Sequence, residues 1–377
     1  MSRGPLAVVL LLMALLLPVV PSRAQQNKNF QRGLQQYIKK NFAEAREHFE
    51  RAIKNDSTVV KHRFFLGNTT RRLGDTLAAI RQYKRVLQLD TGHSSARKKM
   101  AEIYFSSKNW KKAQKHYARL AEANPGNFSY RFRLGISQFK RGKIDKAKGT
   151  MLKARELDPK SGPAHFYLGR ILMKRGEYLN AASRFNRAIE LKPSLGRYQF
   201  YRALAYFREQ DYMSRSDEAW RSAEGFKKAI ERDFATPKTR FMYGNSLLNR
   251  GLYYLENDRV EEGVGLLKKS IRQFRRVVVT DWKASNAFHN MGVAYLGIGK
   301  LDLAKRAVEN GIMSEPSVPF FHDTLGEIFF RLGEFDKALE SWELVKELDS
   351  DYSSHPFEPL YFERSIEERI KGAKLRR

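Results

Sequence analysis

An all-α solenoid of about nine helix–turn–helix units is the fold that this 377-residue sequence predicts, and three series of residues predict it. Gly33, Gly67, Ala101, Gly135, Gly169 and Ala203 stand 34 residues apart, and the pattern returns at Gly244, Gly292 and Gly326. Twelve residues further on come Ala45, Ala79, Ala113, Ala147 and Ala181, then Ala304 and Ala338. Four beyond these lie Phe49, Tyr83, Tyr117, Met151 and Phe185, and later Trp342. A recurrence in fixed phase means one supersecondary unit stacked many times, in which neighbours supply the core that no single unit can close.

The elements follow in chain order. Arg3 precedes the apolar run Leu6 to Leu17, Pro18 and Pro21 end it, and Ser22-Arg23-Ala24 places small residues before Gln25. A short apolar core with that ending reads as a signal peptide over 1–24, and its prolines argue against a full membrane span. From there each repeat carries apolar residues at i, i+3, i+4 and i+7, as in Phe166, Leu168, Ile171, Leu172 and then Ala181, Phe185, Ala188, Ile189. This spacing predicts two amphipathic helices per repeat, joined by short turns at Gly74, Gly142, Gly176, Gly299 and Gly333. Pro125, Pro159, Pro193 and Pro316 fall just after second helices, where a ring without an N–H stops the helix.

Two intervals are long. Ala203 to Gly244 spans 41 residues and Gly244 to Gly292 spans 48, insertions of 7 and 14. The first reads as an enlarged loop, Asp211 to Ser216, before a helix opened by Asp217-Glu218. In the second, Asn257-Asp258 reads as the turn of a hairpin with about one heptad added to each arm, which keeps both apolar faces nearly in register. Past Tyr352 the pattern stops. Residues 353–359 read as a linker, and Leu360 to Leu375 as a last helix covering the exposed end of the array with Tyr361, Ile366 and Ile370.

Repeat five, His165 to Pro193, reads H-F-Y-L-G-R-I-L-M-K-R-G-E-Y-L-N-A-A-S-R-F-N-R-A-I-E-L-K-P. Its small residue, turn Gly, A-x-x-x-F and late Pro resemble the tetratricopeptide repeat, as do Leu134 to Pro159 and Leu325 to Trp342. The resemblance covers roughly Gln26 to Tyr352 and implies a right-handed superhelix with first helices lining a concave groove. It divides the chain into basic repeats one to four (26–161), repeats five and six (162–236), an elongated repeat seven (237–284), repeats eight and nine (285–352) and a linker with a capping helix (353–377). It also implies a binding scaffold, and the signal suits an exported bacterial member, with the periplasm as destination and secretion or membrane anchoring as the other outcomes.

Charge is uneven. Of the net +29, Gln25 to Ser161 holds 32 Lys and Arg against 11 Asp and Glu, whereas Gly162 to Arg377 holds 36 against 30. Such an excess makes a field that attracts polyanions. Carried over by position, the groove-facing places of repeats two to six hold Lys61, Arg71, Arg72, Lys98, Lys140, Arg170, Lys174, Arg197 and Arg208, opposed by Glu102 alone. Phe64, Asn68, Phe105, Phe132, Phe139, Phe166, Phe200 and Phe207 share that face. The expected ligand is an acidic, partly apolar protein segment, and the expected site is Lys61, Phe64, Asn68, Arg72, Lys98, Phe132, Phe166, Arg170, Lys174, Phe200 and Arg208.

Other classes are weighed against this one. An envelope polyanion (glycan, anionic lipid or nucleic acid) would use the cations alone, and a self-assembling structural protein would use its ends and the long hairpin. The family's clamp for a terminal carboxylate is incomplete: Asn68 and Arg133 occupy two of five places, but Phe64, Lys99 and Ser129 hold the rest. Repeats seven to nine place Asn245 and Asn290 correctly, yet Phe241, Phe320 and Thr324 replace every cation. Cysteine is absent, which excludes disulfides, thiol catalysis and a lipidated cysteine. The eight His include no H-x-x-x-H pair, and His165 and His322 share one repeat phase, which reads as packing. Gly292 to Lys300 only approximates a phosphate-binding loop. No enzyme activity, cofactor, metal or small-molecule substrate is expected.

Overall fold

The computed structural model describes residues 23–209, 217–280, 283–352 and 365–376. Among the described residues there are nineteen helices and no strand. The chain forms two compact units, one up to Leu157 and one from Asp158.

The first unit holds repeats one to four as α1 (Arg23–Ile38), α2 (Phe42–Asn55), α3 (Val60–Arg72), α4 (Thr76–Leu89), α5 (Ser94–Ser106), α6 (Trp110–Ala123), α7 (Phe128–Lys140) and α8 (Ile144–Leu157). Each helix packs on its chain neighbours. The residue series read from the sequence are the core: Ala45, Ala79, Ala113, Ala147, Phe49, Tyr83, Tyr117 and Met151 are all buried. Side-chain caps start α4, α5, α6 and α7, as where Asp75 accepts from the Ala78 N–H at 2.8 Å. The turns between paired helices need a left-handed residue. Gly74 and Gly142 supply it at φ 88° and 73°, while Lys40 and Lys108 occupy the same place at 63° and 57°.

The second unit holds α9 (Gly162–Lys174), α10 (Tyr178–Leu191), α11 (Gly196–Glu209), α12 (Asp217–Glu231), α13 (Pro237–Glu256), α14 (Val260–Val278), α15 (Ala284–Gly297), α16 (Leu301–Ser314), α17 (Pro319–Leu332), α18 (Phe335–Leu348) and α19 (Ile366–Arg376). Here too Ala181, Ala304, Ala338, Phe185 and Trp342 are buried as their phase requires. The elongated repeat seven is present as the 20-residue α13 and the 19-residue α14, turning at Asn257 and Asp258. Gly251 and Gly263 let the added turns meet, since a Cβ on Gly263 would stand 2.9 Å from the Gly251 carbonyl oxygen. The enlarged loop at Asp211 to Ser216, the linker at 353–359 and the first residues of the last helix lie outside the described residues. So do residues 1–22 of the expected signal.

The last helix covers repeat nine as expected. Ile366 and Ala373 join the cluster around Trp342 and Val345. Arg369 forms a buried ion pair with Asp323 of α17. The Asp323 carboxylate also accepts from the Trp342 indole at 3.1 Å and the Tyr352 hydroxyl at 2.9 Å. A buried charge held by this many donors fixes where the helix docks.

Candidate functional site

Three successive first helices of the first unit build the best-defined cationic site. Tyr37 of α1, Asn68, Arg71 and Arg72 of α3, and Lys99 and Glu102 of α5 line a cleft of roughly 370 Å3. Arg71 and Glu102 pair at 3.5 Å across it, but both are partly exposed, so the bond is weak and exchangeable. Among the described residues Arg72 and Lys99 have no carboxylate partner. The Tyr83 hydroxyl donates to the Asn68 side-chain oxygen at 2.7 Å, and the amide donors of Asn68 have no partner among the described residues. Burial pushes the Tyr83 phenol well above its ordinary range, so it stays a donor.

A second cleft adjoins the first, sharing Tyr37 and Arg72, and adds Ile38, Lys40 and Phe42. Ile38 is 72% exposed at the edge of this cleft. Cations and an apolar wall therefore stand side by side, which suits a carboxylate next to an apolar group.

The expected site residues separate into four groups. Asn68 and Arg72 line the cationic cleft. Lys61, Lys98, Lys174 and Arg208 are exposed on their first helices, with the Lys61 ammonium 5.0 Å from the Phe30 ring centroid. Phe64 and Phe132 are half-buried, one 5.0 Å from the His93 ring and the other stacked on Phe128 at 5.3 Å. Arg170 is half-buried, with its guanidinium 5.0 Å from the Tyr201 ring.

Phe166 and Phe200 correct the expectation, because both are core residues. Phe166 is 2% exposed and stacks on Tyr198 at 4.8 Å, and Phe200 is 4% exposed against Phe226 and Phe234. An aromatic enclosed by the next helix offers a ligand no face. The sequence reading missed Tyr37 and Lys99. Tyr37 stands four residues after Gly33, as Arg71 does after Gly67, so carrying the groove phase back into repeat one finds it.

The Asn pair of repeats seven and eight is spent internally. The Asn290 amide donates to Asn245 at 2.8 Å, and its oxygen meets the His289 ring at 3.1 Å. The other His289 nitrogen meets the Thr324 hydroxyl at 2.8 Å. These groups are buried structural polar residues, consistent with the incomplete clamp. His165 and His322 are buried too, each bonded through Nε2 to the carbonyl of the loop proline, Pro159 or Pro316, at 3.1 and 2.7 Å.

Helix pairs stacked in register, with exposed cations and clefts on their first helices, define a repeat scaffold for protein interaction. Two profiles described as tetratricopeptide repeat match the chain, one over residues 71–134 and the other over 39–94, 132–195 and 166–213. The chain is a tetratricopeptide-repeat protein. Among solved structures it is similar to MamA of AMB-1, at 23% identity over 46% of this chain and 94% of that one, with a TM-score of 0.42. It is also similar to MamA from Desulfovibrio magneticus RS-1, at 21% identity over 45% and 96% with a TM-score of 0.40. YrrB, described as a TPR protein with an unusual peptide-binding site, is 18% identical over 53% and 92%, with a TM-score of 0.45. No curated protein matches the chain significantly.

Proposed function

We propose that this chain is a non-catalytic scaffold that holds an acidic, partly apolar segment of a partner protein on the first helices of its basic unit. The observation that carries the reading is the shared wall of the two clefts. Arg72 and Lys99 are available for a carboxylate, and Ile38, Phe42 and Tyr37 for the apolar side chain beside it. The surrounding excess of positive charge raises the encounter rate with acidic segments. The apolar run Leu6 to Leu17, followed by Ser22-Arg23-Ala24, supports export, and the cell envelope, the periplasm first, is the proposed place of action.

The test is a titration of the full chain with a labelled peptide, Glu-Phe-Glu-Glu-Leu-Glu, against Glu-Gly-Glu-Glu-Gly-Glu of equal charge. The reading expects the apolar peptide to bind more tightly, and the paired change Arg72→Glu with Lys99→Glu to weaken the first-unit site at least tenfold. Lys115→Glu with Lys153→Glu, on the second helices α6 and α8, changes net charge equally and should have little effect. Equal losses from both pairs, with no preference for the apolar peptide, would make the chain a diffuse binder of envelope polyanions instead.

A further inference from the structure

The added turns of repeat seven help to build a cleft of their own. Trp220 of α12, Arg250 and Tyr254 of α13, and Glu262, Gly265, Leu266 and Lys269 of α14 line a space of roughly 350 Å3. In most other repeats the left-handed turn residue comes seven positions after the small residue, as at Gly67 and Gly74. In repeat seven the small residue is Gly244 and the turn residue Asp258, so Tyr254 stands in the added turns and an ordinary repeat has no counterpart.

The groups are held in a stack. The Arg250 guanidinium lies 4.9 Å from the ring centroids of both Trp220 and Tyr254. Its Nε and one terminal nitrogen donate to the Tyr254 hydroxyl, at 3.0 and 2.6 Å. Arg259 covers the Tyr254 ring at 4.0 Å and spends its own charge on Glu262, donating at 2.9 and 3.1 Å. Glu262 is the only carboxylate among the lining residues, and it is paired. Arg250 and Lys269 have no carboxylate partner among the described residues, and the Tyr254 hydroxyl and the two flanking rings hold the Arg250 guanidinium in place, its charge still unpaired. Trp220 remains 42% exposed beside the buried Leu266.

We propose that this cleft is a second binding site, for a partner segment in which a carboxylate side chain stands next to an aromatic or large aliphatic one. The carboxylate meets Arg250 and Lys269, and the apolar group lies between the Trp220 indole and Leu266. The site rests on different residues from the cationic clefts of the first unit and stands or falls separately.

The experiment uses the full chain with the Glu-Phe-Glu-Glu-Leu-Glu peptide in isothermal titration calorimetry. The chain carrying Arg72→Glu and Lys99→Glu should retain one site per molecule. Adding Trp220→Ala or Lys269→Glu should weaken that remaining site at least tenfold. Lys269 is exposed and makes no ion pair among the described residues, so its reversal tests the charge without disturbing the fold. The melting temperature reports whether Trp220→Ala does disturb it. No residual site, or one indifferent to Lys269→Glu, overturns the proposal. If instead the unaltered chain binds one peptide, Lys269→Glu abolishes it and Arg72→Glu with Lys99→Glu does nothing, this site stands and the reading of the first unit fails.

Discussion

Gly169→Ala should destabilise the second unit although it improves helix propensity. In an exposed helix interior the change would gain about 1 kcal/mol, because Ala loses less backbone entropy than Gly. Here the new Cβ would stand 2.6, 2.8 and 2.9 Å from three carbons of the Phe185 ring. That ring is fully buried, with Phe166 at 5.7 Å and Tyr201 at 5.8 Å, so it has no free direction of retreat. Overpacking of this kind costs about 1–3 kcal/mol, which outweighs the propensity gain over most of that range and leaves a net loss near 1 kcal/mol. The assay is urea unfolding followed by far-ultraviolet circular dichroism, run as a double-mutant cycle. In a Phe185→Leu background the clash is absent, so Gly169→Ala should become neutral or stabilising, with a coupling of about 1–3 kcal/mol between the sites. A stabilised single variant with no coupling would refute the close approach of α9 and α10 on which the repeat phase depends.

Two further outcomes follow from the same geometry. Lys108 sits at φ 57° in a turn where Gly142 takes 73°, and a left-handed backbone costs an L-residue roughly 1–2 kcal/mol, part of which Gly returns as unfolded-state entropy. Lys108→Gly should therefore raise stability by about 0.5–1 kcal/mol, read as a higher urea midpoint. Burial lowers the His289 pKa from 6.5 to about 4, against weaker opposing effects of Asn290 and the Phe320 backbone. The unfolded chain then binds more protons between these values, so the contribution of His289 to stability is complete above pH 6.5 and is lost as pH falls toward 4. Ring resonances in an NMR titration should show His289 still neutral at pH 5, when exposed histidines are charged; a ring that titrates with them refutes the buried network.

The repeat phase was legible in the sequence because every helix pair meets the same packing problem. A small residue, an Ala twelve positions on and a large side chain four further must recur wherever two helices cross closely, and Ala45, Ala79, Ala181 and Ala338 are accordingly buried. The same regularity made the arms of the long hairpin and the turn at Asn257-Asp258 readable, since a whole heptad added to each arm preserves its apolar face. Phase alone failed where exposure depends on a third helix. Phe64 and Phe166 lie at comparable positions of α3 and α9, yet Phe64 stays half-buried beside His93 whereas Tyr198 and Tyr201 close over Phe166. Trp220, Arg250 and Tyr254 share no repeat register, because one insertion lies before Trp220 and the other after Arg250, and only the packed unit stacks them. The sequence by itself determined the helices, their pairing and the sign of the charge, because these follow from periodicity and composition. Which cations and aromatics form a cleft was decided by tertiary structure, because a cleft is bounded by side chains from three helices at once and a one-dimensional period carries no information about how far the third one leans in.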